Sequence, residues 1–154
     1  MEAARAATTL DLAALASLAR AMHEELRTQR GGDLWLQRDA RPEPLESALR
    51  ALLGRTDAGV FVGTIDDLIV GFATVEIERL RDGTQLGVVR DLFVEPDARE
   101  VGVGEAIAEV LLTFCSDAGC IGIDAYALPG SRTTKNFFER SGFTARLLTM
   151  HRRL

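Results

Sequence analysis

One continuous stretch, residues 90–106, constrains the fold of this chain more than any other part of its sequence. It contains the apolar residues 92–94, a run that is typical of a buried strand and that ends in an acidic-proline turn. Gly102 and Gly104 then precede a segment in which apolar side chains recur at helical spacing. The stretch therefore predicts a strand that leads through a glycine-containing loop into an amphipathic helix beginning near Val103.

The loop before that helix is suited to bind an anion. The first amide groups of a helix lack intrahelical partners, and the helix dipole places partial positive charge there. Gly102 and Gly104 leave the backbone accessible, and Arg99 adds a full charge. Ile107 stands where a dinucleotide fingerprint needs a third glycine, and no Gly-Lys-Ser/Thr sequence exists. The loop predicts a mononucleotide or coenzyme pyrophosphate site, although the same spacing also fits a helix start whose glycines serve only packing.

Hydrophobic periodicity predicts an α/β fold, an α+β arrangement around a mixed sheet. We expect a central twisted sheet of about 6–7 strands, flanked by about four helices, with a right-handed parallel crossover within residues 85–128. The 154 residues are expected to form a single domain, residues 1–154. The expected strands are 3–8, 60–65, 68–80, 85–94, 120–128 and 143–153; the expected helices begin after Asp11, at Pro44, at Val103 and at Thr133, and residues 33–43 are expected to form a loop.

Composition and charge exclude several classes of function. The net charge of −5 and the isoelectric point near 5.1 are unlike those of a nucleic-acid-binding protein. No apolar stretch approaches the ~20 residues that a membrane span needs, and the N-terminus lacks the basic segment of a secretory signal. Cys115 and Cys120 match neither a metal-ligand nor a C-x-x-C spacing, so neither a metal site nor a disulfide is expected. These features predict a cytoplasmic chain without a membrane or nucleic-acid partner.

Two motifs resemble those of one enzyme superfamily. Arg99-x-x-Gly102-x-Gly104 resembles the pyrophosphate loop of the GNAT N-acetyltransferases, and residues 137–143, with the sequence FFERSGF, resemble that family's F-Y-E-x-x-G-F motif. The predicted order of elements over residues 3–153 also matches that family. The resemblance implies a GNAT fold and an enzyme that transfers an acetyl group from acetyl-CoA directly to a primary amine of a small molecule or peptide.

The resemblance also implies where the cofactor lies. Backbone groups of residues 92–94 would bind the pantetheine arm and polarise the thioester carbonyl, and two parallel strands would separate at a bulge near Asp91. Backbone amides of the loop would bind the pyrophosphate. By this resemblance the cofactor-binding residues are Leu92, Phe93, Val94, Arg99, Glu100, Val101, Gly102, Val103, Gly104, Glu105, Ser131 and Phe138.

Three positions depart from the family pattern. Glu100 places a carboxylate beside the expected pyrophosphate, and Ser131 stands where many relatives have asparagine, so it either binds the cofactor or only caps a helix. Phe138 replaces the tyrosine that often protonates the leaving thiolate. Tyr126 either supplies that proton or is a packed strand aromatic, and water is the other proton source. Phe138 also leaves open a non-catalytic, acyl-CoA-binding or regulatory domain of the same fold.

A general base must deprotonate the attacking ammonium. The candidate bases are the carboxylates near the expected bulge, which together would make the slot acidic and suited to a cationic amine: Asp91, Glu76, Glu78 and Asp124. His23 and His151 are expected at the surface. Trp35 and Leu36 either cover the acceptor site or anchor their loop on the core. An exposed strand edge would also permit a homodimer.

Overall fold

Five strands form one mixed sheet whose spatial order follows the chain, β1-β2-β3-β4-β5. The computed structural model describes residues 1–154. The first four strands pair antiparallel, and β4 pairs parallel with β5. This confirms the mixed sheet and the predicted parallel crossover, with fewer strands than the expected six to seven. The strands are β1 (Glu2–Ala6), β2 (Ala58–Ile65), β3 (Leu68–Arg79), β4 (Gln85–Val94) and β5 (Gly122–Ala125).

Helices cover both faces of the sheet, and there are five of them where about four were expected. The extra helix begins at Gly32 and occupies the first part of residues 33–43, which were predicted as a loop; with only two turns, it shows no recognisable apolar stripe. No helix has the length and apolarity needed to cross a membrane. The helices are α1 (Leu12–Arg27), α2 (Gly32–Arg38), α3 (Leu45–Leu53), α4 (Val103–Asp117) and α5 (Arg132–Arg140).

The final predicted strand, residues 143–153, does not form. Phe143 donates the last backbone hydrogen bond of the chain, to Phe138, and residues 144–154 are all exposed and make no such bond. A strand must satisfy its backbone groups by pairing, and this segment makes no backbone hydrogen bond to the free outer edge of β5. The prediction of a strand over residues 143–153 is therefore wrong for the single chain.

Alternation along the strands divides the core into two layers. Val60, Val62 and Phe72 pack with α1 and α3 on one face of the sheet. Phe61 and Ala73 point to the opposite face, where they pack against α4. This period of two is what a sheet covered on both faces requires. It also means that Asp91 and Phe93, two residues apart on β4, share the face that α1 covers.

The candidate site lies where β4 and β5 separate. The last parallel pair joins Val89 to Ala125, so β4 continues for five residues, Arg90–Val94, with no strand along the edge that faces β5. On its other edge β4 pairs with β3, and the register shifts so that Arg90 is an extra residue between two pairs. A bulge of this kind bends and twists a strand locally. The predicted bulge and separated strands are therefore both present.

Candidate active site

The loop between β4 and α4 presents a row of free amides. Gly102 occupies the N-cap position of α4 without a capping side chain, and Ala106 donates to Gly102 as the first bond of the helix. The six amides of residues 100–105 donate to no acceptor within the chain. They lie at the positive end of a 15-residue helix, directly after the open edge of β4.

The two glycines of that loop have different roles. Gly102 has a φ of +104°, and Glu100 reaches the left-handed region with a φ of +66°. Gly104 has ordinary helical geometry, but a Cβ there would lie 3.0 Å from the ring of Phe137. Gly102 therefore shapes the loop, whereas Gly104 lets α5 approach α4 closely. The carboxylate-bearing residues Glu100 and Glu105 are both exposed.

Arg99 has partners within the chain. Its Nη2 lies 2.8 Å from Glu25 Oε1 on α1, its Nε donates to the Val94 carbonyl at 2.8 Å, and its guanidinium lies over the ring of Phe93. These contacts tie α1 to the end of β4. The sequence predicted Arg99 as a free charge for the pyrophosphate; the structure instead pairs it with a carboxylate.

Asp91 is buried at the bulge and bound by two side chains. Its Oδ2 accepts from Arg41 Nε at 2.8 Å and from the hydroxyl of Thr74, the residue directly opposite on β3. Arg41 Nη2 in turn donates to Thr74 Oγ1 at 3.1 Å. The other carboxylate oxygen, Oδ1, accepts no hydrogen bond. Asp91 thus has one occupied and one free oxygen.

Arginines balance the carboxylates around the bulge. Glu76 Oε1 accepts from Arg55 at 2.5 Å, and its Oε2 lies 3.7 Å from Arg41 and 3.4 Å from Arg90. Glu78 accepts from Arg90 at 2.9 Å. The expectation of an acidic slot is therefore wrong. Sequence periodicity placed the glutamates on one face correctly, but it carried no information on the cations that reach them from other elements.

The bulge opens into a small cavity of about 250 Å³. No apolar side chain lines it, and the lining residues are Arg38, Asp39, Arg41, Glu76, Arg90 and Asp91. Asp124, the fourth candidate base, does not line this cavity; it pairs with Arg146. A second cavity, of about 220 Å³, is apolar and lies between α3 and β2, away from the bulge.

The residues of the second motif are core and cap residues. Phe138 is buried, and its ring packs at 5.5 Å from Phe137 and 5.1 Å from Phe143. Ser131 stands at the N-cap position of α5, yet its hydroxyl bonds Thr134 Oγ1 rather than a backbone amide. Tyr126 follows β5 directly, is 60% exposed, and is therefore not a packed strand aromatic.

The C-terminal half of α1 faces this region. His23 was expected at the surface, but its Nε2 is buried without a hydrogen-bond partner and its ring meets Trp35 edge-on at 5.7 Å. Burial lowers the pKa of His23, against the opposing effect of the Asp91 and Glu43 charges. Trp35 packs against the core cluster, so it anchors α2. His151 is exposed, as expected.

Sequence comparison assigns the family. A model of the acetyltransferase (GNAT) family matches residues 16–143. The chain belongs to the acetyltransferase (GNAT) family. No curated protein matches its sequence. The resemblance seen in the two motifs is thereby confirmed, and this GNAT domain is an acetyltransferase by family.

Solved structures share the fold of this GNAT chain at low sequence identity. A tetramutant of the BH1408 protein from Bacillus halodurans is 20% identical with a TM-score of 0.83, over 98% of this chain and 99% of that one. An aminoglycoside acetyltransferase from an uncultured soil metagenomic sample is 18% identical, with a TM-score of 0.75, over 99% and 95%. Glucosamine-6-phosphate N-acetyltransferase from Arabidopsis thaliana is 20% identical, with a TM-score of 0.70, over 99% and 98%.

Sequence reasoning missed Arg41 and Thr74 of this GNAT site. A signal for a partner of Asp91 existed: Asp91 directly precedes the apolar residues 92–94, and Thr74 lies between the apolar residues Ala73 and Val75. A buried carboxylate requires a cationic or hydrogen-bonding partner. The sequence could therefore have indicated a partner cation, but not that residue 41 supplies it. No group of three or more metal-ligating side chains is arranged around a common point.

Proposed function

We propose that this GNAT acetyltransferase transfers an acetyl group from acetyl-CoA to a primary amine of a small molecule or peptide. The observation that carries the proposal is the pairing of two features, the free edge of β4 beyond Val89 and the six free amides of residues 100–105. They fit an elongated ligand with an amide-containing arm and a pyrophosphate. The arm would add to the edge of β4 as a strand does, and the amides would bind the phosphates.

The pyrophosphate would be bound mainly by backbone. Arg99 is paired with Glu25, so its charge is partly compensated before any ligand arrives. Val101, Gly102 and Val103 offer amides at the start of α4, where no side chain competes for them. We propose that Arg99 reinforces this cradle through its bond to the Val94 carbonyl, which orders the turn between the strand and the loop.

Asp91 is the proposed general base. The reaction joins the amine nitrogen to the acetyl carbon, breaks the bond from that carbon to sulfur, and requires that the ammonium lose a proton first. Asp91 lines the charged cavity; its Oδ1 accepts no bond, whereas Arg41 and Thr74 hold Oδ2 in place. Glu76 is the second candidate because it lines the same cavity. Glu78 is not a cavity residue, which favours a supporting role through Arg90.

Tyr126 is the proposed acid for the leaving thiolate. Phe138 is buried in a cluster of rings and has no proton to give. Tyr126 lies just beyond the point where β5 leaves β4, and its hydroxyl makes no hydrogen bond within the chain. Replacement by phenylalanine would remove that proton and leave only water as the donor. A thiol with an ordinary pKa near 8.5 leaves without full protonation, so we expect a partial loss of turnover.

Thiol release from acetyl-CoA across an amine library tests the activity. The expected result is release that depends on an amine, and Asp91→Asn is expected to reduce it by 10²-fold or more, in line with the loss of a general base. Calorimetry with CoA measures binding separately. Binding without release for any amine would favour the alternative, a non-catalytic acyl-CoA-binding or regulatory domain; absence of CoA binding would overturn both.

We further infer that the chain acts as a single domain and pairs with a second copy of itself. Leu147, Leu148 and Met150 are between 76% and 88% exposed on the unpaired segment 144–154, and the outer edge of β5 is free. An extended apolar segment and an open strand edge are complementary. A partner's segment seated on β5 would satisfy both.

A further inference from the structure

The cavity at the bulge of β4 is unusual in its lining. Ligand pockets are mostly apolar with a few polar groups, whereas this one has three arginines, three carboxylates and no apolar side chain. Its volume is about 250 Å³. An acceptor that enters it must be small and must match fixed charges of both signs. A long alkyl amine finds no apolar surface there.

The three arginines are not equally occupied. Arg41 is largely buried; its Nε binds Asp91, its Nη2 binds Thr74 and lies 3.7 Å from Glu76, and only its Nη1 has no partner. Arg90 uses Nε and Nη2 for Glu76 and Glu78 but leaves Nη1 without a partner. Arg38 contacts only its neighbour Asp39, through Nε, and leaves both terminal nitrogens free. Arg41 is thus a positioning residue, and the more exposed Arg38 and Arg90 carry the free donors that solvent reaches most readily.

The carboxylates show the same division. Both oxygens of Glu76 lie near arginines, both oxygens of Asp39 accept from Arg38 Nε, and one oxygen of Asp91 is held by Arg41 and Thr74. The oxygen Oδ1 of Asp91 is the acceptor that remains, and it lies at the bulge, where the strands part. An ammonium therefore has one defined place to bind. A second ammonium on the same ligand would meet the free ends of Arg38 and Arg90.

We propose that the acceptor is a small molecule that carries both a primary ammonium and an anionic group, a carboxylate or a phosphate. The ammonium would lie at Asp91 Oδ1, and the anion would bind the free guanidinium nitrogens of Arg90 and Arg38. A guanidinium binds either anion through two parallel hydrogen bonds, so the two sources share one chemistry. This inference rests on the proposed acetyl transfer and specifies its acceptor.

Matched pairs of amines test the proposal by thiol release. Glycine is compared with glycinamide and O-phosphoethanolamine with ethanolamine, and 1,5-diaminopentane serves as a dication. We expect kcat/KM for at least one amine that carries an anionic group to exceed that of its counterpart without the anionic group by tenfold or more. The pair with the larger ratio identifies carboxylate or phosphate as the anion. Equal or higher turnover of the amine without the anionic group in both pairs, or of the diamine, overturns the proposal.

Variants link any preference to the cavity. Arg90→Gln is expected to reduce the preference to less than about threefold, because it removes the charge and keeps amide donors. Arg79→Gln is the matched control, since Arg79 is an exposed arginine on β3 that does not line the cavity. An unchanged preference in Arg90→Gln, or an equal loss in Arg79→Gln, contradicts the proposal.

A binding measurement separates this proposal from the activity itself. Each amine is titrated by calorimetry into protein saturated with CoA. Tighter binding of glycine than of glycinamide, or of O-phosphoethanolamine than of ethanolamine, supports the acceptor class even if no thiol is released, provided that Arg90→Gln removes the difference. Release without such a difference keeps the acetyl transfer and overturns the acceptor class.

Discussion

Arg99 Nη2 lies 2.8 Å from Glu25 Oε1, which connects the last turns of α1 to the loop that precedes α4. The arginine that the sequence marks for an anionic ligand is therefore already bound to a carboxylate. Both side chains are about a third exposed, at 33% and 35%, so the pair is partly screened by water. An anionic ligand can therefore compete with Glu25 for the Arg99 guanidinium.

Removal of the Glu25 charge is expected to improve binding of acetyl-CoA. Glu25→Gln frees the Arg99 guanidinium, and a part-exposed charge contact contributes about 0.5–1 kcal/mol, so KM for acetyl-CoA should fall by roughly two- to fivefold. Steady-state kinetics at low salt measure this. Glu24→Gln is the control, because Glu24 pairs with Arg27 on the same helix. A rise in KM in Glu25→Gln would indicate that the pair orders the loop instead.

The backbone conformation of the loop is expected to require glycine at position 102. Gly102→Ala places a side chain at a φ of +104° and should cost about 1–2 kcal/mol of unfolding free energy. Because the free amides adjoin this residue, CoA affinity should fall as well. Gly83→Ala is the matched control: its φ is +88° and a Cβ there meets open space. Chemical denaturation should show similar losses, and calorimetry should show weaker CoA binding only for Gly102→Ala.

Arg41 is expected to contribute more to the free energy of unfolding than an exposed arginine does. Arg41→Met leaves the buried Asp91 carboxylate without its cation and should lower the unfolding free energy by about 3 kcal/mol or more. The double variant Arg41→Met/Asp91→Asn should be more stable than the sum of the two single changes predicts, by at least about 1 kcal/mol. Urea denaturation measures all three.

The control for that series is Arg50→Met on α3, where an exposed arginine has no ion-pair partner. Its effect should stay within about 0.5 kcal/mol. Simple additivity of the Arg41 and Asp91 changes would mean that the two side chains act on stability independently.

His23 is expected to make stability depend on pH near neutrality. Burial lowers its pKa in the folded chain below the ordinary 6.5, so the unfolded chain binds a proton more readily. Stability that is present above pH 6.5 should therefore decrease as the pH falls through 6.5 toward the folded value. Denaturation at pH 8, 6.5 and 5.5 should show this slope, and His23→Gln should flatten it. The exposed His151 supplies the control His151→Gln; an equal flattening there would exclude the assignment to His23.

Residues 144–154 are expected to hold two chains together. Light scattering after gel filtration should give twice the 16.7 kDa mass of one chain. Leu147→Ser with Leu148→Ser should shift the mass to that of one chain, because both apolar side chains lie on the unpaired segment. Leu10→Ser replaces an equally exposed leucine at the other end of the chain and should leave the mass unchanged. A monomeric wild type at every concentration would contradict the dimer.

Local pattern was sufficient for most of the fold. Strong periodicity predicted β2, β3, β4 and α4, and the crossover rule predicted how β4 and β5 run. It failed where an element depends on a distant neighbour. The two turns of α2 are stabilised by Trp35, which packs on the core. Residues 144–154 were predicted as a strand, but their backbone makes no hydrogen bond within the chain.

For the candidate site, the sequence by itself determined the chemistry of the backbone and tertiary structure decided the chemistry of the side chains. Gly102 and the start of α4 create free amides wherever a loop of this kind meets a helix, because backbone donors and the helix dipole are local properties. The partners of Asp91 and Glu76 are not local: Arg41 lies 50 residues before Asp91, and Arg55 lies 21 residues before Glu76. An ion pair depends on distances that only the packed fold fixes, so the charge of this site could be known only once the chain had folded.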